Sequence, residues 1–361
     1  MQLTIIAGTR PNFIKIAPLI KSIQKAQSKG KNISYRLVHT GQHFDKNMSE
    51  TFFEELKIPS PNVNLGIGGG TQAEQTAGIM IGFEKELLAN PTDLVIVVGD
   101  VTSTMACSIT AKKMNTKVAH VEAGIRSWDL SMPEEINRMV TDALADYFFT
   151  TTEVASENLR YFGVKEEQIF FVGNVMIDTL LVNRGRFIKP EIFNELQLAE
   201  KQYIMFTIHR PANVDEAEKL KQLMNEIVNN VERLPIIFPI HPRTARIFSD
   251  LKIKAGNLYI VEPMGYLEFN YMVERCKCVI TDSGGITEET TVMGIPCITL
   301  RDNTERPETV TIGTNELIGT NPQSIKPALK KLFSGQWKKG GIPELWDGKS
   351  AERIINILLN E

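Results

Sequence analysis

The chain contains no apolar run that approaches the length needed to cross a bilayer. Its first residues, Met1-Gln-Leu-Thr-Ile-Ile-Ala7, read as a strand with no basic segment or cleavage site, so a cytoplasmic protein is expected. There is no basic excess: 40 Lys and Arg stand against 43 Asp and Glu, a formal net charge of −3. That balance argues against a nucleic-acid partner, which needs a basic face. Cysteine is scarce, with Cys107, Cys276, Cys278 and Cys297 in or beside apolar runs. Cys276 and Cys278 have the spacing of half a metal site, but no second pair or histidine cluster accompanies them. Buried thiols in a reducing compartment, and no metal, are expected. No low-complexity linker is present. The glycine run Gly66-Ile-Gly-Gly-Gly70 does not leave a strand and open a helix, so it reads as a mobile loop rather than a dinucleotide fingerprint.

At 361 residues the chain exceeds one hydrophobic core and suggests two domains. Strands are expected at 3–7, 35–39, 94–98, 118–121, 147–151 and 169–172, alternating with helices, which reads as a doubly wound α/β domain. Helices are expected at 48–56 and 71–88. Pro18 sits inside the first apolar stripe, where a bend or restart is expected. The series breaks near Gly173-Asn174. A second series follows, with strands at 203–207, 236–240, 258–261, 279–282 and 297–300. The expected division is 1–173 plus a returning C-terminal helix at about 350–361, and 174–349.

The chain is organised around 278–301, a strand, a break at Asp282-Ser283-Gly284-Gly285, a helix and another strand. The glycines admit close backbone approach, and the free N–H groups at the start of the helix suit a phosphate. A helix-capping turn is the plainer reading of the same residues. Glu288 and Glu289, one turn on, could hold a ribose hydroxyl pair or simply complement the helix dipole. In open α/β sheets, ligands sit beyond the carboxyl ends of the strands. Here those ends carry Arg10, His43, Asp100, Glu122, His209, His241 and the Ser283 loop. Asp100 could equally cap a helix, Glu122 could pair with Arg126 or Arg138, and the histidines could be half-buried and satisfied.

Gly8-Thr-Arg-Pro11 with Lys15, Gly41-Gln-His43, Val98-Gly-Asp100, His120-Val-Glu-Ala-Gly-Ile-Arg126, Pro133-Glu-Glu135 with Asn137-Arg138, Thr207-Ile-His-Arg210, His241-Pro-Arg243, the Asp282 to Glu289 stretch and Arg301-Asp-Asn-Thr-Glu-Arg-Pro-Glu308 occur in this order. As a set they closely resemble the non-hydrolysing UDP-N-acetylglucosamine 2-epimerases over nearly the whole chain. The resemblance implies two Rossmann-like domains in the glycosyltransferase-B arrangement, an interdomain cleft, no cofactor and a homodimer. It implies Asp100, Glu122, Glu134 and His209 as catalytic. It puts Arg10, Lys15, His241, Ser283, Gly284, Gly285 and Arg306 on the substrate, Glu289 on the ribose and the Phe269 backbone near the uracil. It implies a possible allosteric site at Gln42 and His43. Two departures, Asn12 where the family usually has Glu and Pro211-Ala212-Asn213 where it has a more polar run, put the sugar's substituents in doubt.

These residue types suit that chemistry. The hydrogen at C2 of an N-acetylhexosamine is not beside a carbonyl, so simple enolisation cannot remove it. Elimination of UDP from C1 can, if the diphosphate is stabilised, carboxylates move the proton and water is excluded. Close carboxylates would also separate in pKa into an acid and a base. A glycosyltransferase on the same fold, a nucleotide-sugar-binding regulator and a hydrolysing epimerase remain alternatives.

Overall fold

Two series of strand and helix alternate along the chain, and each closes its own parallel sheet. The computed structural model describes residues 1–41, 53–240, 248 and 255–360, with Arg10, Pro211 and Ala212 described by backbone alone. The chain divides into one unit of Met1–Val182 with Glu344–Glu361, and another of Asn183–Pro343.

The first unit holds β1 (Gln2–Ala7), β2 (Ser34–His39), β3 (Val63–Asn64), β4 (Leu94–Val98), β5 (Lys117–Ala123), β6 (Tyr147–Thr150) and β7 (Ile169–Phe171). Their order in the sheet is β3-β2-β1-β4-β5-β6-β7. All five residues of β4 are buried, as a strand covered on both faces requires. The order reverses beside β1, where β4 is the neighbour on the other side. That is the switch point, at which the turns after β1 and β4 open a crevice.

The second unit holds β8 (Ile204–Thr207), β9 (Ile236–Pro239), β10 (Leu258–Val261), β11 (Cys278–Thr281), β12 (Cys297–Thr299) and β13 (Asn315–Leu317), in the order β10-β9-β8-β11-β12-β13. Its switch point lies between β8 and β11. Cys278 packs with Phe206 and Ile280, whereas Cys276 and Cys297 pack with Met205 and Val279 in a second cluster. All four cysteines are buried free thiols. No described helix is long and apolar enough to cross a membrane.

Two strands, β3 and β13, escape the sequence reading. They are two and three residues long and carry no apolar run. The expected restart at Pro18 does not occur, since one helix runs Arg10–Ser28 with Pro18 inside it. A proline lacks the N–H that would bond the carbonyl four residues back, here Ile14. Thr179 Oγ1 donates to Ile14 O at 2.6 Å and takes that place.

Thr179 lies on helix Val175–Asn183, and this helix explains why the division falls at 182/183 rather than at Gly173-Asn174. Its Asp178 accepts from Ser350 N at 3.1 Å and Ala351 N at 2.7 Å, capping helix Ser350–Asn360. Burial pushes the Asp178 carboxyl up to about 6. Trp346, fully buried, donates from Nε1 to Thr151 O at 3.0 Å. The returning segment also buries Ile354, Ile355 and Leu358, each worth about 2 kcal/mol of transfer free energy.

The expected helix 48–56 is seen from 53 to 56, its beginning lying outside the described residues. Thr71 caps the helix after the glycine run, which spans Gln72–Ala89. Within that glycine run, Ile67 N donates to Thr40 O at 2.9 Å.

Candidate functional site

At the switch point of the first sheet, Asn12 ties two strand ends together. Its Oδ1 accepts from Gly8 N and Thr9 N, both at 3.0 Å, and its Nδ2 donates to Val98 O at 3.1 Å. A glutamate could not make the last bond. Asn12 thus serves backbone groups at the ends of both strands. Arg10 opens the helix that follows.

After β4 the chain turns at Gly99, with φ +66°, where an added Cβ would lie 2.8 Å from Lys15 Nζ and 3.3 Å from Glu122 Oε2. Only glycine lets the buried Lys15–Glu122 ion pair lie so close to the backbone. Glu122 is 3% exposed, its Oε1 has no hydrogen bond among the described residues, and its φ is +71°. A left-handed non-glycine residue costs about 1–3 kcal/mol and gathers at functional sites. The strain coincides with the register shift between Val121 and Ala123 in β5. The partner of Glu122 is thus Lys15, not Arg126 or Arg138.

Asp100 does not cap the next helix, whose N-cap is Val101. Its Oδ2 instead accepts from Arg138 Nε at 3.0 Å and Nη2 at 2.7 Å. Arg138 also pairs with Glu135, which is fully buried and accepts from Ser127 N at 2.9 Å and Trp128 N at 3.1 Å. Glu135 therefore shapes the loop, whereas Glu134, in the first turn of helix Pro133–Leu144, is exposed. Sequence alone does not separate these adjacent acids. His120 is structural, with Nδ1 at 2.6 Å from Asp142 and Nε2 at 2.8 Å from Gly99 O. A cavity of about 400 Å³ in this unit is lined by Arg126, Asp142, Phe148, Leu159 and Phe162, and none of the expected site residues borders it.

At the second switch point, Thr207 Oγ1 and Thr281 Oγ1 lie 2.7 Å apart, and Thr281 Oγ1 also accepts from Ser283 N at 3.0 Å. Ser283 precedes helix Gly284–Met293, and its side chain makes no capping bond, so the first N–H groups stay available to an anion. A Cβ at Gly284 would meet Arg306 Nη1 at 3.0 Å. Arg306 is itself buried, donating to Glu288 Oε1 at 2.6 Å and Glu305 Oε1 at 2.8 Å. Gly285 follows inside the helix, half-buried.

Glu289 is 4% exposed and accepts from Tyr266 OH at 2.8 Å. Burial pushes its carboxyl up to about 7. The Phe269 N–H already donates to Gly265 O at 2.9 Å in the first turn of its helix. His209 lies just beyond β8, its ring 53% exposed and its Nδ1 3.0 Å from Asp282 Oδ1. Sequence reasoning missed Asp282 as a functional candidate, although it stands directly before the Ser283 loop. Gln42, His43 and His241 lie outside the described residues.

The first unit thus gathers Lys15, Asp100 and Glu122 at its switch point, and the second gathers His209, Asp282, Ser283 and Arg306 at its own. The sequence profile of the UDP-N-acetylglucosamine 2-epimerase family matches residues 25–359. The chain is similar to a UDP-N-acetylglucosamine 2-epimerase of Methanocaldococcus jannaschii, 43% identical over 99% of both chains. It is also similar to a UDP-2,3-diacetamido-2,3-dideoxy-D-glucuronate 2-epimerase of Pseudomonas aeruginosa, 41% identical over 94% of this chain and 96% of that one. A crystal structure of the M. jannaschii UDP-GlcNAc 2-epimerase, in complex with UDP-GlcNAc and UDP, superposes with a TM-score of 0.90 at 41% identity over the full length of both. Two parallel sheets, each with polar turns at its switch point, and this extent of likeness lead to one conclusion: the chain belongs to the UDP-N-acetylglucosamine 2-epimerase family.

Proposed function

We propose that this protein interconverts UDP-N-acetylglucosamine and UDP-N-acetylmannosamine by inverting C2 of the sugar without net hydrolysis. The observation that carries the reading is Glu122, a buried carboxylate held at φ +71° with one oxygen unbonded, against the glycine that precedes Asp100. The M. jannaschii relative is named a UDP-N-acetylglucosamine 2-epimerase, which supports the C2 chemistry.

The C1–O bond to UDP breaks as a base takes the C2 proton, and a C1=C2 double bond forms. A proton then returns to the opposite face of C2 and UDP adds back at C1. Glu122 and Asp100 carry the proton on the two faces, and Glu134 supports the charge that develops at C1. Lys15 holds Glu122 in place. Arg10, His209, His241, Arg306 and the N–H groups of the Ser283-Gly284-Gly285 turn stabilise the departing diphosphate. Glu289 holds the ribose, and Phe269 lies beside the uracil. We assign the enzyme to the cytoplasm, where its buried free thiols stay reduced, and to a homodimer.

A second substrate deserves an arm in the test, because the P. aeruginosa relative is named for a sugar with a second acetamido group and a carboxylate. Proton NMR of each UDP-sugar with the purified protein in deuterated water separates the readings. The expected result is deuterium at C2 and appearance of the epimer, with no acceptor added. Accumulation of free UDP would indicate hydrolysis, and binding without exchange at C2 would remove the proposal.

A further inference from the structure

Asp282 bridges the switch point of the second sheet. It ends the strand β11 side of the crevice, and its bonding partners come from the turn after β8. The carboxylate is fully buried. It accepts from His209 N at 3.1 Å, Arg210 N at 2.8 Å and Asn213 Nδ2 at 3.1 Å through Oδ2, while Oδ1 lies 3.0 Å from His209 Nδ1. Burial acts to raise this carboxyl, but the bonds from His209, Arg210 and Asn213 outweigh it and hold it below the usual range. A carboxylate that accepts only from N–H groups carries no proton to offer, so the ring nitrogen facing it must be the donor. The ring is half exposed, which leaves Nε2 as the atom open to a ligand.

We propose that Asp282 is a positioning residue for the reaction: it fixes the His209 imidazole with Nδ1–H on its carboxylate and presents Nε2 to the departing diphosphate. This rests on the function proposed above. The pattern is that of a histidine whose tautomer is set by the bond on its far nitrogen. The same carboxylate also anchors the turn through Arg210 N and Asn213, so a purely structural role is the competing account. The charged groups bonded to the turn, among the described residues, are Asp282 and, through Arg210 at 3.9 Å, Glu305.

The full-length protein labelled with ¹⁵N-histidine decides between them. Long-range ¹H–¹⁵N spectra, with His209 assigned by its loss in His209→Asn, should show Nδ1 protonated in the wild type. In Asp282→Asn kcat should drop about 10- to 100-fold while KM moves little. Asp282→Glu should recover part of that loss. The double variant with His209→Asn should be no slower than His209→Asn alone, because one acts through the other. Multiplying losses, or an Nδ1 that carries no proton in the wild type, would overturn the inference. Should Asp282→Asn fail to fold, the wild-type spectrum still decides, since an Nε2–H tautomer there is incompatible with the proposal. Absence of any C2 exchange in the wild type would instead overturn the function, whatever the tautomer of His209.

Discussion

Glu122 and Asp100 sit on neighbouring strand ends but are held by opposite means. Glu122 is paired with a buried lysine and strained in its backbone. Asp100 is clasped by Arg138 and retains some exposure. Asp100→Asn should abolish solvent exchange at C2, read by proton NMR, and exchange at the wild-type rate would free Asp100 from proton transfer. Glu122→Gln should lower kcat by at least ~10²-fold and leave Lys15 buried without its counter-charge. A stability loss of about 3–5 kcal/mol is expected in urea unfolding. At this scale the sequence told much. A carboxylate ending a buried strand, as at Glu122, stands out in any reading. It could not tell that Lys15 rather than an arginine answers it, because that choice depends on which helix lies over the strand. Nor could it tell that Asn12 and Asn213 serve backbone and buried acceptors, since both look like exchanged substrate contacts in a linear motif.

Among the elements, the long strands declared themselves by apolar runs, and β4 agrees with its expected bounds at both ends. β3 and β13 did not, because two or three residues at a sheet edge need no pattern of their own. The helix Arg10–Ser28 was legible as an apolar stripe, but its continuity through Pro18 was not. That continuity depends on a hydroxyl more than a hundred and sixty positions away, between residues 14 and 179. Thr179→Val should therefore leave the Ile14 carbonyl without a partner and cost about 1–2 kcal/mol. Pro18→Ala in the same background should return most of it, because the new N–H can bond Ile14 O directly. Thermal unfolding of the two single variants and the double variant measures this, and additive effects would disprove the link.

For the molecule as a whole, two buried carboxyls make the second unit sensitive to pH. Burial raises both Glu289 and Glu308 to about 7 from an ordinary 4.5. Below pH 4.5 both folded and unfolded chains are protonated there and nothing is lost. As pH rises toward 7 the unfolded chain releases its protons first, so stability declines across that window and levels off above it. Each group contributes on the order of 3 kcal/mol to the decline. Glu289→Gln should remove about half of the pH dependence of the melting temperature between pH 5 and 8, the Glu308 share remaining. If Glu289 holds the ribose as a carboxylate, UDP affinity should rise from pH 6 to 8 in the wild type and stay level in that variant, which calorimetry would show. The two-sheet plan was legible from alternating strands and helices. The point at which the chain changes units was not, because helix Val175–Asn183 follows the break yet bonds back to Ile14 and Ser350.

The return of Trp346 and helix Ser350–Asn360 to the first unit has a consequence for synthesis. These residues leave the ribosome only after Asn183–Pro343 has been made. The nascent amino-terminal portion must wait with the surfaces for Trp346, Ile354 and Leu358 bare, while the later-made portion can close as soon as it clears the exit tunnel. The unit begun before Asn183 is therefore completed only after the intervening unit has been made.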